Sequence, residues 1–356
     1  MNKVNKSVFT FYVLFTINLI VSFFSSFILP NRYFYDAMSI ILDKYHEIGW
    51  VGSYPLSMQL YKITGLKYLP FPLVALIQYP LVMYILYKIG ISPKFHKLNI
   101  KNLLVYLSFL IMAIYLAMPS KEFITFLFIS IVPFIFKNDK YSVKKKIFLS
   151  ILLFVLFSVL FRIYFLFIPI ISIGIIILSK IKVKNKVFTS ISYGVIIAVF
   201  LSLSYGLVTN KFLSESSREN LNADRNPIKD ANTMIVSPVD TGTWYGESIG
   251  IVNGFFQVNL PLNGIKYIFS PQIFAFVIWQ LFIFYILFVR LSRNINSPNK
   301  DILEYWLLLY VFSYFILQGI FEPDLGSAIK HKMGIFPLIY FALYYEYFGK
   351  KVSKSI

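Results

Sequence analysis

A succession of apolar runs, each near the length needed to cross a bilayer, constrains this chain more than any other feature. The runs lie near 8–29, 70–88, 102–118, 121–137, 147–161, 163–179, 187–209, 269–289, 302–320 and 334–348. A bilayer core takes roughly 20 apolar residues wound as a helix, because backbone polar groups find no water there. With 58% of 356 residues hydrophobic, the expectation is an all-α polytopic membrane protein. About ten transmembrane helices would form one integral membrane domain. Residues 9–29 can span and precede no small-residue cleavage site, so they read as a span and not as a removed signal.

Loop charge then sets orientation, since Lys and Arg concentrate in cytoplasmic loops. With a cytoplasmic N-terminus, ten spans place 21 of the 34 basic residues inside, against the four acids Asp139, Asp301, Glu304 and Glu346. Both termini are therefore expected in the cytoplasm. The stretch 147–179 could be two short helices or one long helix around a buried Arg162. One helix would put two adjacent Lys-rich loops on opposite sides, which favours two. The net charge of +18 is on this reading a topology signal, and no nucleic-acid partner is implied.

Several chemistries lack their residues. The chain has no cysteine, which removes disulfides, thiolate metal sites and a Cys nucleophile. Its three histidines, His46, His96 and His331, form no metal-binding pair, and no phosphate-cradling or nucleophile-elbow motif occurs. No metal and no cofactor are expected.

The informative charges are those that topology does not require, on the outer face. The first outer loop, 30–69, holds Arg32, Asp36, Lys44, His46 and Glu47, and its segment 56–66 suggests a re-entrant or interfacial helix. In the turn Pro119-Ser120-Lys121-Glu122, Ser120 can cap the next helix. Lys121 and Glu122 would then either satisfy one another in a solvated turn or offer a helix N-terminus to an anion. Arg162 lies among Phe161, Ile163, Tyr164 and Phe165, where a guanidinium costs roughly 2.5–3.5 kcal/mol to insert and so reads as functional or as an interfacial anchor. The last outer turn joins Glu322 and Asp324 to Lys330-His331-Lys332, offering bases, orienters and phosphate-binding cations. The long outer loop, 210–267, adds Arg218, Arg225, Trp244 and Tyr245. It is nearly neutral, which suits a lid covering a site better than the main holder of an anion.

The layout, with Ser120-Lys121-Glu122-Phe123, Phe161-Arg162-Ile163-Tyr164-Phe165 and Glu322-Pro323-Asp324…Lys330-His331, resembles Wzy-type O-antigen and capsular polysaccharide repeat-unit polymerases. Where that pattern would have Arg-His, this chain has Lys330-His331. The resemblance implies a GT-C-like glycosyltransferase of the bacterial inner (plasma) membrane, inverting and metal-independent. Its partners would be undecaprenyl-diphosphate-linked glycans, membrane lipids and a chain-length regulator protein. Two diphosphates would need cations such as Lys121, Arg162, Lys330, Lys332 and Arg32. The acceptor hydroxyl would need a base, for which Asp36, Glu322, Asp324 or a loop acid could serve. Trp244 and Tyr245 could pack on sugar faces. Another polyprenyl-linked sugar transferase, a ligase, or a lipid-linked oligosaccharide flippase would use the same outer charges.

Overall fold

In the computed structural model, residues 5–43, 49–181, 185–223 and 233–349 are described. They are helical throughout, with only an isolated β-bridge between Met234 and Asp324. In chain order the helices are α1 (Lys6–Ile28), α2 (Tyr35–Leu42), α3 (Ser53–Ile63), α4 (Phe71–Ile89), α5 (Ile100–Tyr115) and α6 (Lys121–Lys137). There follow α7 (Val143–Leu160), α8 (Phe167–Leu178), α9 (Lys186–Thr209), α10 (Asn220–Ala223) and α11 (Trp244–Asn259). The last are α12 (Pro271–Asn296), α13 (Ile302–Phe321), α14 (Leu325–Gly334), α15 (Phe336–Leu343) and α16 (Tyr345–Phe348). Each apolar run of the sequence is helical. By length and composition five of these helices, α1, α4, α9, α12 and α13, are able to cross a membrane, as a helical membrane protein requires.

Side-chain caps explain several of the starts. Asn99, Ser120, Ser142, Asn185, Thr243 and Asp301 each accept a backbone N–H of the first turn that follows, replacing bonds a helix end cannot make internally. The stretch 147–179 breaks at Phe161–Arg162, so it is two helices. Pro169 stands in the first turn of α8, where the missing N–H costs nothing and would instead have broken a continuous helix.

The chain divides into two compact units. The first comprises residues 1–163 and 330–356. Within it Phe11 of α1 packs its ring on Phe95 and Phe109. The C-terminal helices are pinned to α4 and α5 by Tyr340 Oη donating to the Gly90 carbonyl and Tyr344 Oη to Asn102 Oδ1, both at 2.6 Å. The first loop carries two real helices, α2 and α3. It is tied to the end of α7 by the Gly52 N–H donating to the Leu160 carbonyl at 3.0 Å. Gly52 has φ +107, a conformation that glycine adopts without steric cost.

The second unit, residues 164–329, is built around α13, whose residues from Leu307 to Ile320 are all buried. The long polar interruption is not a plain loop there. It contains α11, which runs beside α13 with Gly254 so close to Gly319 that a Cβ on Gly254 would stand 2.0 Å from the Gly319 carbonyl oxygen. Arg218 is fully buried, and its guanidinium donates to that same carbonyl at 2.8 Å and to Glu219 at 3.0 Å. The buried Glu247 carboxylate accepts from the hydroxyls of Ser202 and Ser214 and from the Ser214 N–H. These bonds join α9, α11 and the segment before α10, because a carboxylate and a guanidinium out of water must each be bonded.

Candidate functional site

The charged residues singled out in separate turns converge within the first unit. α6 begins on its Ser120 cap with Lys121 and Glu122, and the preceding turn is held from α3. The Ser120 N–H donates to Tyr61 Oη at 3.0 Å. With the Gln78 amide oxygen facing Tyr61 Oη at 2.7 Å, its nitrogen donates to the Met118 carbonyl at 2.9 Å. All three side chains are buried, so this chain of bonds fixes where Lys121 and Glu122 stand.

Glu122 is the hub. Its side chain is wholly buried, and Oε1 accepts from Arg162 at 2.6 Å and lies 3.2 Å from His331 Nε2. Oε2 is 3.8 Å from Lys330 Nζ. Lys121 and Glu122 thus do not satisfy each other in a solvated turn. Removing a carboxylate and a guanidinium from water costs several kcal/mol per ion and is offset only when both are well bonded. Arg162, at the break after α7, reaches Glu122 with a side chain only 5% exposed. α14 brings in Lys330 and His331 side by side. Its end lies against α6, where a Cβ on Gly334 would meet Thr125 at 3.1 Å.

Asp36 of α2 forms the second anionic pole. Lys330 donates to its Oδ2, Tyr54 Oη donates to Oδ1 at 3.1 Å, and Lys121 Nζ lies 3.8 Å from Oδ1. Lys121 also stands 3.8 Å over the Tyr54 ring, a favourable cation–π placement. Burial alone would raise the Asp36 carboxyl, but Lys330 and Lys121 outweigh it and hold the carboxyl down at about 2. Burial likewise works against the Lys330 ammonium, yet Glu122 and Asp36 together keep it above its ordinary value. The cluster sets the basic side chains of Lys121, Arg162, Lys330 and His331 against the two carboxylates of Asp36 and Glu122, with burial pulling the Lys121 ammonium below its ordinary value. Side chains of Asp36, Lys121, Lys330 and His331 retain 14–24% exposure, so the rim is open while Glu122 and Arg162 form the floor. Such a net-positive rim suits a multiply charged anion.

The Asp36 shift has a measurable consequence. A carboxyl depressed from 3.8 to about 2 stabilises the fold by about 2 kcal/mol where both states are ionised. That contribution is present above pH ~4 and is lost as the pH falls from ~4 through ~2. Unfolding of the wild type and Asp36→Asn in detergent at pH 7 and pH 3 should therefore show a smaller gap between them at pH 3. A gap of equal size would remove the ion pairs as its source.

The remaining expected site residues lie elsewhere. Arg32 is exposed, 5.7 Å over the Tyr33 ring, and Lys332 is fully buried. Asp324 starts α14 by accepting from the Ser327 N–H at 2.8 Å, and Glu322 accepts from Gln318 at 2.9 Å, both inside the second unit. Arg218 holds α11 to α13 as described. Trp244 and Tyr245 are exposed at the start of α11. Arg225, like Lys44, His46 and Glu47, lies outside the described residues. The sequence marks Glu122 only as a neighbour of Lys121 at a helix start, and gives Tyr54 and Tyr61 no role. Their partners are remote in the chain, so no local pattern marks them. Among the described residues no group of His, Asp and Glu is placed to hold a metal ion. Compared with family models, curated proteins and solved structures, the chain matches none.

Proposed function

We propose that this chain is an oligosaccharide repeat-unit polymerase of a bacterial inner membrane, transferring an undecaprenyl-diphosphate-linked glycan onto a further lipid-linked repeat unit. The reading takes ten spans, cytoplasmic termini and a GT-C-like architecture as its frame. The convergence of Lys121, Arg162, Lys330 and His331 on Glu122 and Asp36 carries it. All of those residues except Asp36 come from the turns that resemble the polymerase strings, and their balance of charge suits a diphosphate.

On this reading the donor diphosphate replaces Asp36 as partner of Lys121 and Lys330, with the Arg162 guanidinium behind them. The acceptor hydroxyl oxygen bonds to the anomeric carbon opposite the leaving group. The anomeric C–O bond breaks with its electron pair on the diphosphate, whose charge the fixed cations stabilise. The hydroxyl proton passes to a base. His331, with Nε2 3.2 Å from the Glu122 carboxylate that orients it, is assigned that part. Asp36, held ionised to about pH 2, is a weak base and serves better as the ion that positions the lysines.

The test is incubation of the purified full chain in nanodiscs with lipid-linked repeat units, followed by a chain-length ladder on a gel. A polymerase gives a ladder. A flippase moves substrate without lengthening it, and a ligase joins glycan to its acceptor without extending the repeat number, so either outcome would replace this reading.

A further inference from the structure

Helix α11 carries an exposed face that its place in a long polar interruption does not explain. Tyr245, Ile249, Val252 and Phe256 recur at helical spacing and are 40–48% exposed, with Trp244 beside them at 67%. No charge interrupts the stripe, since the only charged residue from Trp244 to Asn259, Glu247, is buried on the opposite side. A water-facing helix of this length would normally place polar or charged residues on that face.

We propose that α11 is a re-entrant membrane helix and that its exposed stripe is covered by the acyl chains of bilayer lipid. Asn259 Nδ2, at the end of α11, donates to the Phe315 carbonyl of α13 at 2.9 Å. The Asn259 carbonyl accepts from Gln280 of α12 at 3.3 Å, and the Phe255 and Phe284 rings are 6.2 Å apart. At a rise of ~1.5 Å per residue, Phe315 lies about 9 Å below the end of α13, and Gln280 about 14 Å below the start of α12. Both ends belong to helices apolar enough to span, so the last turns of α11 stand alongside their hydrocarbon-length segments.

Glycines recur at 246, 250 and 254, and at Gly254 the backbones of α11 and α13 come so close that a Cβ would stand 2.0 Å from the Gly319 carbonyl oxygen, beside the Arg218 guanidinium. Small residues that let helices approach so closely are the usual means of association in lipid, where apolar side chains gain little by leaving it. The ends fit as well. Trp244 and Tyr245 pack edge to face at 5.7 Å, and an aromatic pair of this kind suits the membrane–water boundary. Beyond Asn259, Leu262, Ile265 and Phe269 are exposed before α12 begins, with the exposed Asn263 and Lys266 among them.

Because the natural chain lacks cysteine, single cysteines report position without further changes. Val252→Cys, Phe256→Cys and Ile249→Cys on the stripe, and Lys211→Cys as a water-facing control, would each carry a nitroxide in the full chain in lipid nanodiscs. Collision with molecular oxygen is expected to exceed collision with a water-soluble nickel chelate at 249, 252 and 256, with the order reversed at 211. Nickel access at the stripe would show that it faces water. Protection from both reagents would show that protein covers it, either a second copy or another chain. Both results would overturn the proposal.

Discussion

Arg162→Ala is expected to abolish the chain-length ladder and to destabilise the first unit by about 3 kcal/mol, the lower end for breaking a buried ion pair. The stability loss follows from Glu122. Its carboxylate would keep His331 at 3.2 Å and Lys330 at 3.8 Å but lose its 2.6 Å bond inside a fully buried site. Adding Glu122→Gln removes the charge left behind and should restore most of that stability, as judged by thermal unfolding in detergent. It should not restore the ladder, because on the proposed reading the guanidinium charge stabilises the leaving diphosphate. The double variant thus separates holding the fold together from acting on substrate. Recovery of both stability and ladder would make Arg162 only an anchor for Glu122.

The second large effect falls on the other unit. Gly254→Val should destabilise it by about 3 kcal/mol, at the upper end for overpacking. Most overpacked positions relax by moving a side chain, but here the added Cβ would stand 2.0 Å from the Gly319 carbonyl oxygen, which belongs to a backbone. The same carbonyl accepts from Arg218, so separating α11 from α13 also loosens a buried guanidinium. Gly242→Ala is the control, since its Cβ would come no nearer than 3.4 Å to the Asp240 carboxylate. Limited proteolysis and thermal unfolding should both distinguish the two variants. Equal stability would mean that α11 does not pack on α13 as described.

Much of the helical framework was legible in the sequence, because a membrane helix announces itself by the length of its apolar run. The run 121–137 became α6 with the same limits, and 302–320 became Ile302–Phe321. Ser120 was legible as a cap because its bond to Phe123 N is local. The site was legible only as a set of separate turns. Glu122 meets Arg162 across 40 positions and His331 from much further along the chain, and no periodicity encodes such a pairing. Arg218 stands in Ser-Ser-Arg-Glu surroundings that read as a hydrophilic, turn-rich loop, and the structure buries it against the Gly319 carbonyl. α11 itself had a signal, the glycines at 246, 250 and 254, hidden inside a stretch whose other residues are too polar for a span.

The central claim is that the cluster around Glu122 transfers glycan from a lipid diphosphate. The most direct measurement runs the nanodisc ladder assay on the wild type and on the Arg162→Ala, Glu122→Gln double variant, side by side and with both shown by thermal unfolding to be folded at the assay temperature. The account predicts a ladder from the wild type and unextended repeat units from the double variant. A ladder of equal length from both, or none from the wild type, would contradict it.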